Sequence, residues 1–181
     1  MTPPRIASLV PSATETLVAL GLGDRLVART GFCIHPAAAL KDVPKVGGTK
    51  DVNLAKLKKL APTHVVVNID ENRLETAEAL REFVPEVIVT HPSRPEDNLA
   101  LFEQLRAAFA GQPGVNERAA ALSAEFAAAL ARCRSEHPPG QRVLYLIWRQ
   151  PWMTVARDTY ISTLLAETGW LRHFPEIAAL Q

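Results

Sequence analysis

The fold is decided by residues 63–90, which read THVVVNIDENRLETAEALREFVPEVIVT. The apolar, β-branched runs at 63–67 and 86–90 predict two buried strands, and the segment between them, 72–85, has the pattern of a helix. Strands joined through a helix pair in parallel, because parallel neighbours need a crossover connection of that length. The stretch therefore predicts an α/β unit built on a parallel sheet.

The same alternation extends toward the N-terminus. Short apolar runs predict further strands at 5–10, 25–29 and 43–46. A helix at 12–21 is predicted to begin with a capping box formed by Ser12 and Glu15 and to end at Gly21. Another helix has one apolar face, formed by Leu54, Leu57 and Leu60. These elements make a first lobe over residues 1–92.

The pattern changes after residue 92. A helix opened by a Ser93–Glu96 box is followed by an alanine-rich helix at 113–136, which would be about 35 Å long. This helical connector spans 93–139 and is long enough to join two lobes.

The strand pattern resumes in residues 140–181, which are predicted to start a second lobe. It has a strand at 142–148 and a helix at 158–169 that is capped by Asp158 and ends at Gly169. We therefore expect two αβ lobes with mostly parallel sheets, joined by one long backbone helix, with the second lobe incomplete.

Composition excludes several classes of protein. The 181 residues are 48% hydrophobic, and 20 Lys and Arg against 19 Asp and Glu give a net charge of +1, which argues against disorder and against a nucleic-acid-binding surface. The early apolar run, Ile6 to Val10, is too short for a signal peptide or a membrane span. The chain is thus expected to be cytosolic, or exported with its leader removed. Cys33 and Cys133 are expected to be free thiols rather than a disulfide.

Polar and ring-bearing residues follow the predicted strands. Because ligands bind beyond the carboxyl ends of parallel strands, the candidates are Ser12, Cys33, His35, Asn68, Asp70, Glu71, His91, Arg149 and Trp152. None completes a known catalytic motif: Cys33 and His35 lack the second pair of a zinc site, and Ser12 has no GxSxG around it. The thiol and imidazole can stabilise a packed loop, contact a ligand or hold a metal. The carboxylates at 70–71 can be an acid/base pair or complement a helix dipole.

Two segments carry a family resemblance. SLVPSATE (8–15) and NLAKLKKLAPTHVVV (53–67), together with the alanine-rich helix, resemble the helical-backbone metal receptors, the periplasmic substrate-binding proteins of ABC importers for cobalamin, haem and iron-siderophores. The chain is most similar to the cobalamin branch. The resemblance implies two lobes on one rigid helix, a cleft between them for a flat metal chelate, a monomer, and docking of acidic residues onto a membrane permease. It implies a periplasmic or membrane-associated location, with a cytoplasmic one left open.

The leading hypothesis is a binding protein without catalytic residues or a permanent cofactor, whose transported ligand is cobalamin, a related corrinoid or another metal chelate. Its ligand contacts would be Ser12, Phe32, Cys33, His35, Thr49, Asn68, Asp70, His91, Arg149 and Trp152. Cys33 or His35 would be the axial metal contact, and Glu71 or Glu75 would dock on the permease. The alternatives are a cytosolic metal-dependent or corrinoid-handling enzyme that uses Cys33, His35 and His91, and a truncated interaction module that binds no ligand.

Overall fold

A computed structural model describes residues 3–136 and 140–172 of the chain. The chain divides into two compact units, the first made of Met1–His91 and Phe102–Leu122 and the second of Pro92–Leu101 and Ser123–Gln181. None of the helices in the described ranges is both long and apolar enough to cross a bilayer.

The first unit is built on a four-stranded parallel sheet. In chain order the strands are β1 (Ile6–Ser8), β2 (Leu26–Arg29), β3 (His64–Asn68) and β4 (Glu86–Thr90). Their order in the sheet is β2-β1-β3-β4, with Val65 opposite both Ala7 and Val87. The predicted α/β class and parallel sheet are confirmed, although the segment at 43–46 is not a strand and makes only a single bridge, between Lys45 and Arg29.

The core of this unit lies on the sheet. Central strands of a parallel sheet are covered on both faces, so they require continuous apolar runs. The three valines of β3 are buried. Val65 and Val67 pack in a cluster with residues from the strands and helices around them, among them Ala7, Leu9, Val46, Leu57 and Leu80.

Four helices follow the strands of the first unit: α1 (Pro11–Ala19), α2 (Ala37–Leu40), α3 (Leu54–Lys59) and α4 (Leu74–Arg81). In α3, Leu57 is buried and Leu54 and Leu60 are partly buried against the same core, which confirms the predicted apolar face. The Asn53 side chain caps this helix by accepting a hydrogen bond from the Lys56 backbone N–H at 2.8 Å.

The predicted capping box of α1 is wrong. The helix begins at Pro11, so Ser12 lies inside its first turn and no side chain caps it. Proline needs no hydrogen-bond partner at this position and has the helical φ already, which explains the earlier start. Gly21, with φ of 77°, follows the helix as expected.

Two longer helices contribute to both units. They are α5 (Asp97–Ala108) and α6 (Val115–Glu136). The predicted Ser93–Glu96 box is replaced by the Asp97 carboxylate, which accepts hydrogen bonds from the backbone N–H groups of Ser93 at 2.8 Å and Arg94 at 3.0 Å.

In its described residues, the second unit has four short strands and, besides its parts of α5 and α6, the helix α7 (Tyr160–Glu167). The strands are β5 (Gln141–Val143), β6 (Leu146–Arg149), β7 (Trp152–Thr154) and β8 (Trp170–Arg172). The predicted single strand at 142–148 is therefore two: β5 pairs in parallel with β8, and β6 forms an antiparallel hairpin with β7. Asp158 does not cap α7, since the capping position is Thr159, but Gly169 follows the helix with a φ of 77° as predicted.

Arg134 of α6 joins two carboxylates in the second unit. Its guanidinium forms ion pairs with Glu96 and Glu167. The hydrogen bonds from Arg134 lower the pKa of Glu167 and raise that of the guanidinium. This unit also exposes large apolar side chains: Leu144, Tyr145, Leu146, Ile147, Trp148, Trp152, Met153, Leu164 and Trp170.

His64 lies at the opposite edge of the first sheet from the predicted site. Burial lowers the pKa of its imidazole, and the nearby Glu86 carboxylate partly counteracts this effect. The ring is in contact with Phe109, at 4.9 Å between centroids, and its Nδ1 is 2.8 Å from the Thr63 hydroxyl. These contacts give His64 a structural role.

Candidate functional site

The carboxyl ends of the four parallel strands form a rim with exposed apolar side chains. Large exposed apolar residues in the described part of the first unit are confined to two stretches, 32–34 and 69–74. They are Phe32, Ile34, Ile69 and Leu74, with 56% to 67% of each side chain accessible. Their location at the carboxyl ends of the strands makes this rim the candidate binding surface.

The loop after β2 is held from below by Arg29. This buried side chain donates from Nε to the Leu40 carbonyl at 3.2 Å and from Nη1 to the carbonyls of Cys33 at 2.8 Å and Thr30 at 3.4 Å. The loop that carries Phe32 and His35 is therefore fixed by one guanidinium, a role that the sequence did not reveal.

Cys33 points into the core and not onto the rim. Its side chain is fully buried, with Sγ 3.1 Å from the Thr30 hydroxyl and 3.7 Å from the Ser8 carbonyl oxygen. A ligand on the rim cannot reach this sulfur without displacing those partners. The structure thus corrects the expectation that Cys33 contacts a metal or a ligand.

Phe32 is placed by close approach of the 47–49 loop. The Gly31 N–H donates to the Gly47 carbonyl at 2.7 Å, and a Cβ at Gly48 would lie 3.4 Å from the Phe32 ring. Gly47 has a φ of 106°, and a Cβ there would collide with the Asp51 carbonyl oxygen. Only glycine fits at that position.

Two buried asparagines connect the rim loops. Asn72 Oδ1 accepts from the Asn68 backbone N–H at 2.9 Å, and its Nδ2 donates to the carbonyls of Thr49 at 2.9 Å and Leu9 at 3.4 Å. Sequence reasoning missed Asn72, although an asparagine four residues after Asn68 in a polar loop is a usable signal.

Asn68 is also occupied within the protein. Its Oδ1 accepts from the Asp70 N–H at 2.8 Å and the Glu71 N–H at 3.3 Å, and its Nδ2 donates to the Thr90 hydroxyl at 3.4 Å. The expectation that Asn68 binds the ligand is therefore corrected: it shapes the loop from beneath.

Asp70 and His91 do come together, as predicted. The His91 Nε2 atom lies 3.4 Å from Asp70 Oδ2, at the ends of the neighbouring strands β4 and β3. Lys50, which the sequence analysis did not include, donates to the Asp70 backbone carbonyl. The three residues form a polar continuation of the rim beside Ile69.

The remaining predicted residues of the first unit are scattered around the rim. Thr49 is half-buried and Ser12 is exposed in the first turn of α1. Exposed His35 lies in a groove beside α1, with Glu15, Thr16 and Pro36. Glu75 lines a charged groove with Lys50, Asp51 and Arg73, and Glu71 is exposed nearby in sequence.

Arg149 and Trp152 belong to the second unit. They face each other across the β6–β7 hairpin, with the guanidinium carbon 6.0 Å from the ring centroid of Trp152. The rings of Trp148 and Trp152 are 64% and 65% exposed. The hairpin thus presents an exposed aromatic surface.

The described side chains include no group of three or more His, Cys, Asp or Glu residues arranged to hold a metal ion. Of the three residues of the alternative metal-dependent enzyme, Cys33 is buried and His91 is paired with Asp70.

Comparison with known proteins identifies the family. A family profile described as "Periplasmic binding protein" matches residues 6–176, which is most of the chain. The chain belongs to the periplasmic binding protein family. The family consists of binding proteins rather than enzymes, which confirms the predicted class.

Named relatives of this periplasmic binding protein include a vitamin B12-binding protein from Vibrio campbellii, which is 29% identical over 167 aligned residues. The alignment covers 91% of this chain and 59% of the relative. The structure is similar to the periplasmic vitamin B12 binding protein BtuF of Vibrio cholerae, with a TM-score of 0.80 and 25% sequence identity. The superposition covers 94% of this chain and 66% of that protein. It is also similar to the periplasmic heme-binding protein RhuT from Roseiflexus sp. RS-1, with a TM-score of 0.79 and 25% sequence identity. Here the superposition covers 94% of this chain and 65% of RhuT. The chain thus spans about three fifths of the length of the curated relatives it matches.

Proposed function

We propose that this chain is the substrate-binding component of an ABC importer, and that it binds cobalamin or a related corrinoid and delivers it to a membrane permease in the periplasm. The observation that carries the proposal is the exposed apolar surface at the carboxyl rim, where Phe32, Ile34 and Ile69 are each more than half accessible. The family and the vitamin B12-binding relatives support the ligand class.

A corrin or porphyrin is a flat ring with apolar faces and polar substituents at its edge. Apolar side chains on a rigid rim can cover one face, and burying their surface supplies roughly 25 cal/mol for each Å² removed from water. Ser12, Thr49 and His91 would then meet the polar edge.

His35 is the remaining candidate for an axial contact. Its side chain is exposed whereas that of Cys33 is buried, and neutral imidazole is a good ligand for cobalt and iron. In the second unit, the β6–β7 hairpin has an exposed aromatic surface of its own, where the Arg149 guanidinium lies over the Trp152 ring.

Glu71 and Glu75 are the proposed contacts for the permease. Both carboxylates are exposed, and Glu75 lies in the first turn of α4. Exposed carboxylates pair well with arginines of a partner, whose planar guanidinium binds both oxygens.

An absorbance titration of the full chain with cyanocobalamin, haemin and a ferric siderophore tests the proposal. We expect a spectral shift and saturation with the corrinoid. The double variant Phe32→Ser with Ile69→Ser should bind at least about tenfold more weakly, because the apolar contact is lost.

The variant Leu164→Ser, at an exposed position of the second unit, is the matched control, and its affinity for the corrinoid should equal that of the unmodified chain. Saturation by haemin alone would assign the chain to haem instead of corrinoids. The receptor proposal fails if none of the three chelates binds.

A further inference from the structure

Asp70 is held in place from three sides while its carboxylate stays in solvent. Its backbone N–H donates to Asn68 Oδ1 at 2.8 Å, its backbone carbonyl accepts from the Lys50 ammonium, and its Oδ2 lies 3.4 Å from His91 Nε2. The side chain is nevertheless 72% exposed. A fixed, exposed carboxylate on the proposed ligand surface is available to contact a ligand.

Lys50 and Asp70 retain unused hydrogen-bonding capacity. An ammonium group has three N–H donors, and that of Lys50 makes one hydrogen bond to the described residues. Asp70 Oδ1 accepts no hydrogen bond from any residue in the described ranges. The rim therefore offers a donor and an acceptor next to each other, beside the apolar side chain of Ile69.

We infer that Lys50 and Asp70 together recognise a primary carboxamide substituent of the ligand. The amide carbonyl accepts a hydrogen bond from the Lys50 ammonium, and the amide NH₂ donates one to the Asp70 carboxylate, which His91 orients. An ester has the carbonyl but no N–H, and a carboxylate would meet Asp70 with like charge. This inference rests on the proposed function, since it assigns the ligand substituent read at the same rim.

The charge of the neighbouring loops also favours a neutral amide substituent. Residues 47–52 and 69–75 carry two cations, Lys50 and Arg73, against four carboxylates, Asp51, Asp70, Glu71 and Glu75. Arg73 is itself paired with Asp51 at 3.3 Å. A surface with an excess of carboxylates disfavours an ionised acid and accepts a neutral amide.

Two probes that share the corrin ring and cobalt test this inference. Dicyanocobinamide carries side-chain amides, and dicyanocobyrinic acid heptamethyl ester carries esters in their place. We expect the full chain to bind the amide form about tenfold more tightly, the effect of one charge-assisted hydrogen bond. Asp70→Ala should abolish this preference by weakening only the amide form, whereas Lys50→Met should weaken both forms by a similar factor because both present a carbonyl.

Glu78→Gln and Lys59→Met, which change charge on exposed positions of other surfaces, should leave both affinities unchanged. Equal binding of the amide and ester forms by the unmodified chain, or an unchanged preference in Asp70→Ala, would overturn the carboxamide inference and leave the receptor proposal standing. If neither probe binds the unmodified chain, the carboxamide inference is overturned, and the titration with cyanocobalamin, haemin and the ferric siderophore decides the receptor proposal.

Discussion

Replacing Asn72 with leucine is expected to lower the free energy of unfolding by about 3 kcal/mol, because three buried backbone groups lose their partners. The side chain satisfies the Asn68 N–H and the carbonyls of Thr49 and Leu9, and the residue is only 6% exposed. Leucine has the same branched shape, with a somewhat larger volume, but neither accepts nor donates a hydrogen bond. The loss can be measured by urea unfolding followed by circular dichroism.

Asn72→Asp is the matched comparison. An aspartate keeps an acceptor for the Asn68 N–H but puts a carboxylate oxygen where Nδ2 faced the carbonyls of Thr49 and Leu9, so it should be at least as destabilising as leucine. Ligand binding should weaken in both variants, since these contacts join the loops that carry Leu9, Thr49 and Asn68. A leucine variant within about 0.5 kcal/mol of the original would show that Asn72 does not hold the rim.

Replacing Arg29 with methionine is expected to be similarly severe, with a loss of about 3 kcal/mol from charge-assisted hydrogen bonds to buried carbonyls. The guanidinium contacts the carbonyls of Leu40, Cys33 and Thr30, and the residue is 7% exposed. Without these contacts the loop at 30–40 loses its support. We expect faster hydrogen exchange at the Gly31 amide, whose partner is the Gly47 carbonyl, together with reduced stability in urea.

Arg29→Lys should recover only part of the stability, because an ammonium cannot reproduce the planar fork that contacts several carbonyls. Arg81→Met removes an equivalent charge from an exposed position and should be nearly neutral. If Arg29→Met folds with unchanged stability and unchanged exchange at Gly31, the guanidinium is not what fixes the loop.

The sheet could be predicted from the sequence because its strands are short apolar runs separated by amphipathic helices. Strand β4 matches the predicted segment 86–90, and the face formed by Leu54, Leu57 and Leu60 packs as expected. The residues that cap the helices were harder to predict. Ser12 and Asp158 have suitable side chains, yet Pro11 starts α1 earlier and Thr159 takes the capping position of α7. Competition between neighbouring residues for one helix end is decided by backbone geometry that residue types alone do not specify.

The position of the site was predictable, but the roles of its residues were only partly so. Parallel topology places Asp70 and His91 at one edge, and they are in contact there. The burial of Cys33 and Asn68 depends on how the loops fold back beneath the rim, which one-dimensional patterns do not show. Ile34 and Ile69 were missed, although Ile69 is a lone apolar residue among Asn68, Asp70 and Glu71, and Ile34 is two residues from the predicted contact Phe32.

Binding of the corrinoid at the carboxyl rim of the first unit can be tested by following the backbone amide chemical shifts of the ¹⁵N-labelled chain during titration with cyanocobalamin. We expect the largest shifts at Gly31, Phe32, Thr49 and Ile69, and none at the opposite end of the strands, where Arg5, Thr63 and Glu86 make their hydrogen bonds. Saturable binding with shifts confined to the opposite end, or absent from the rim, would contradict binding at the rim.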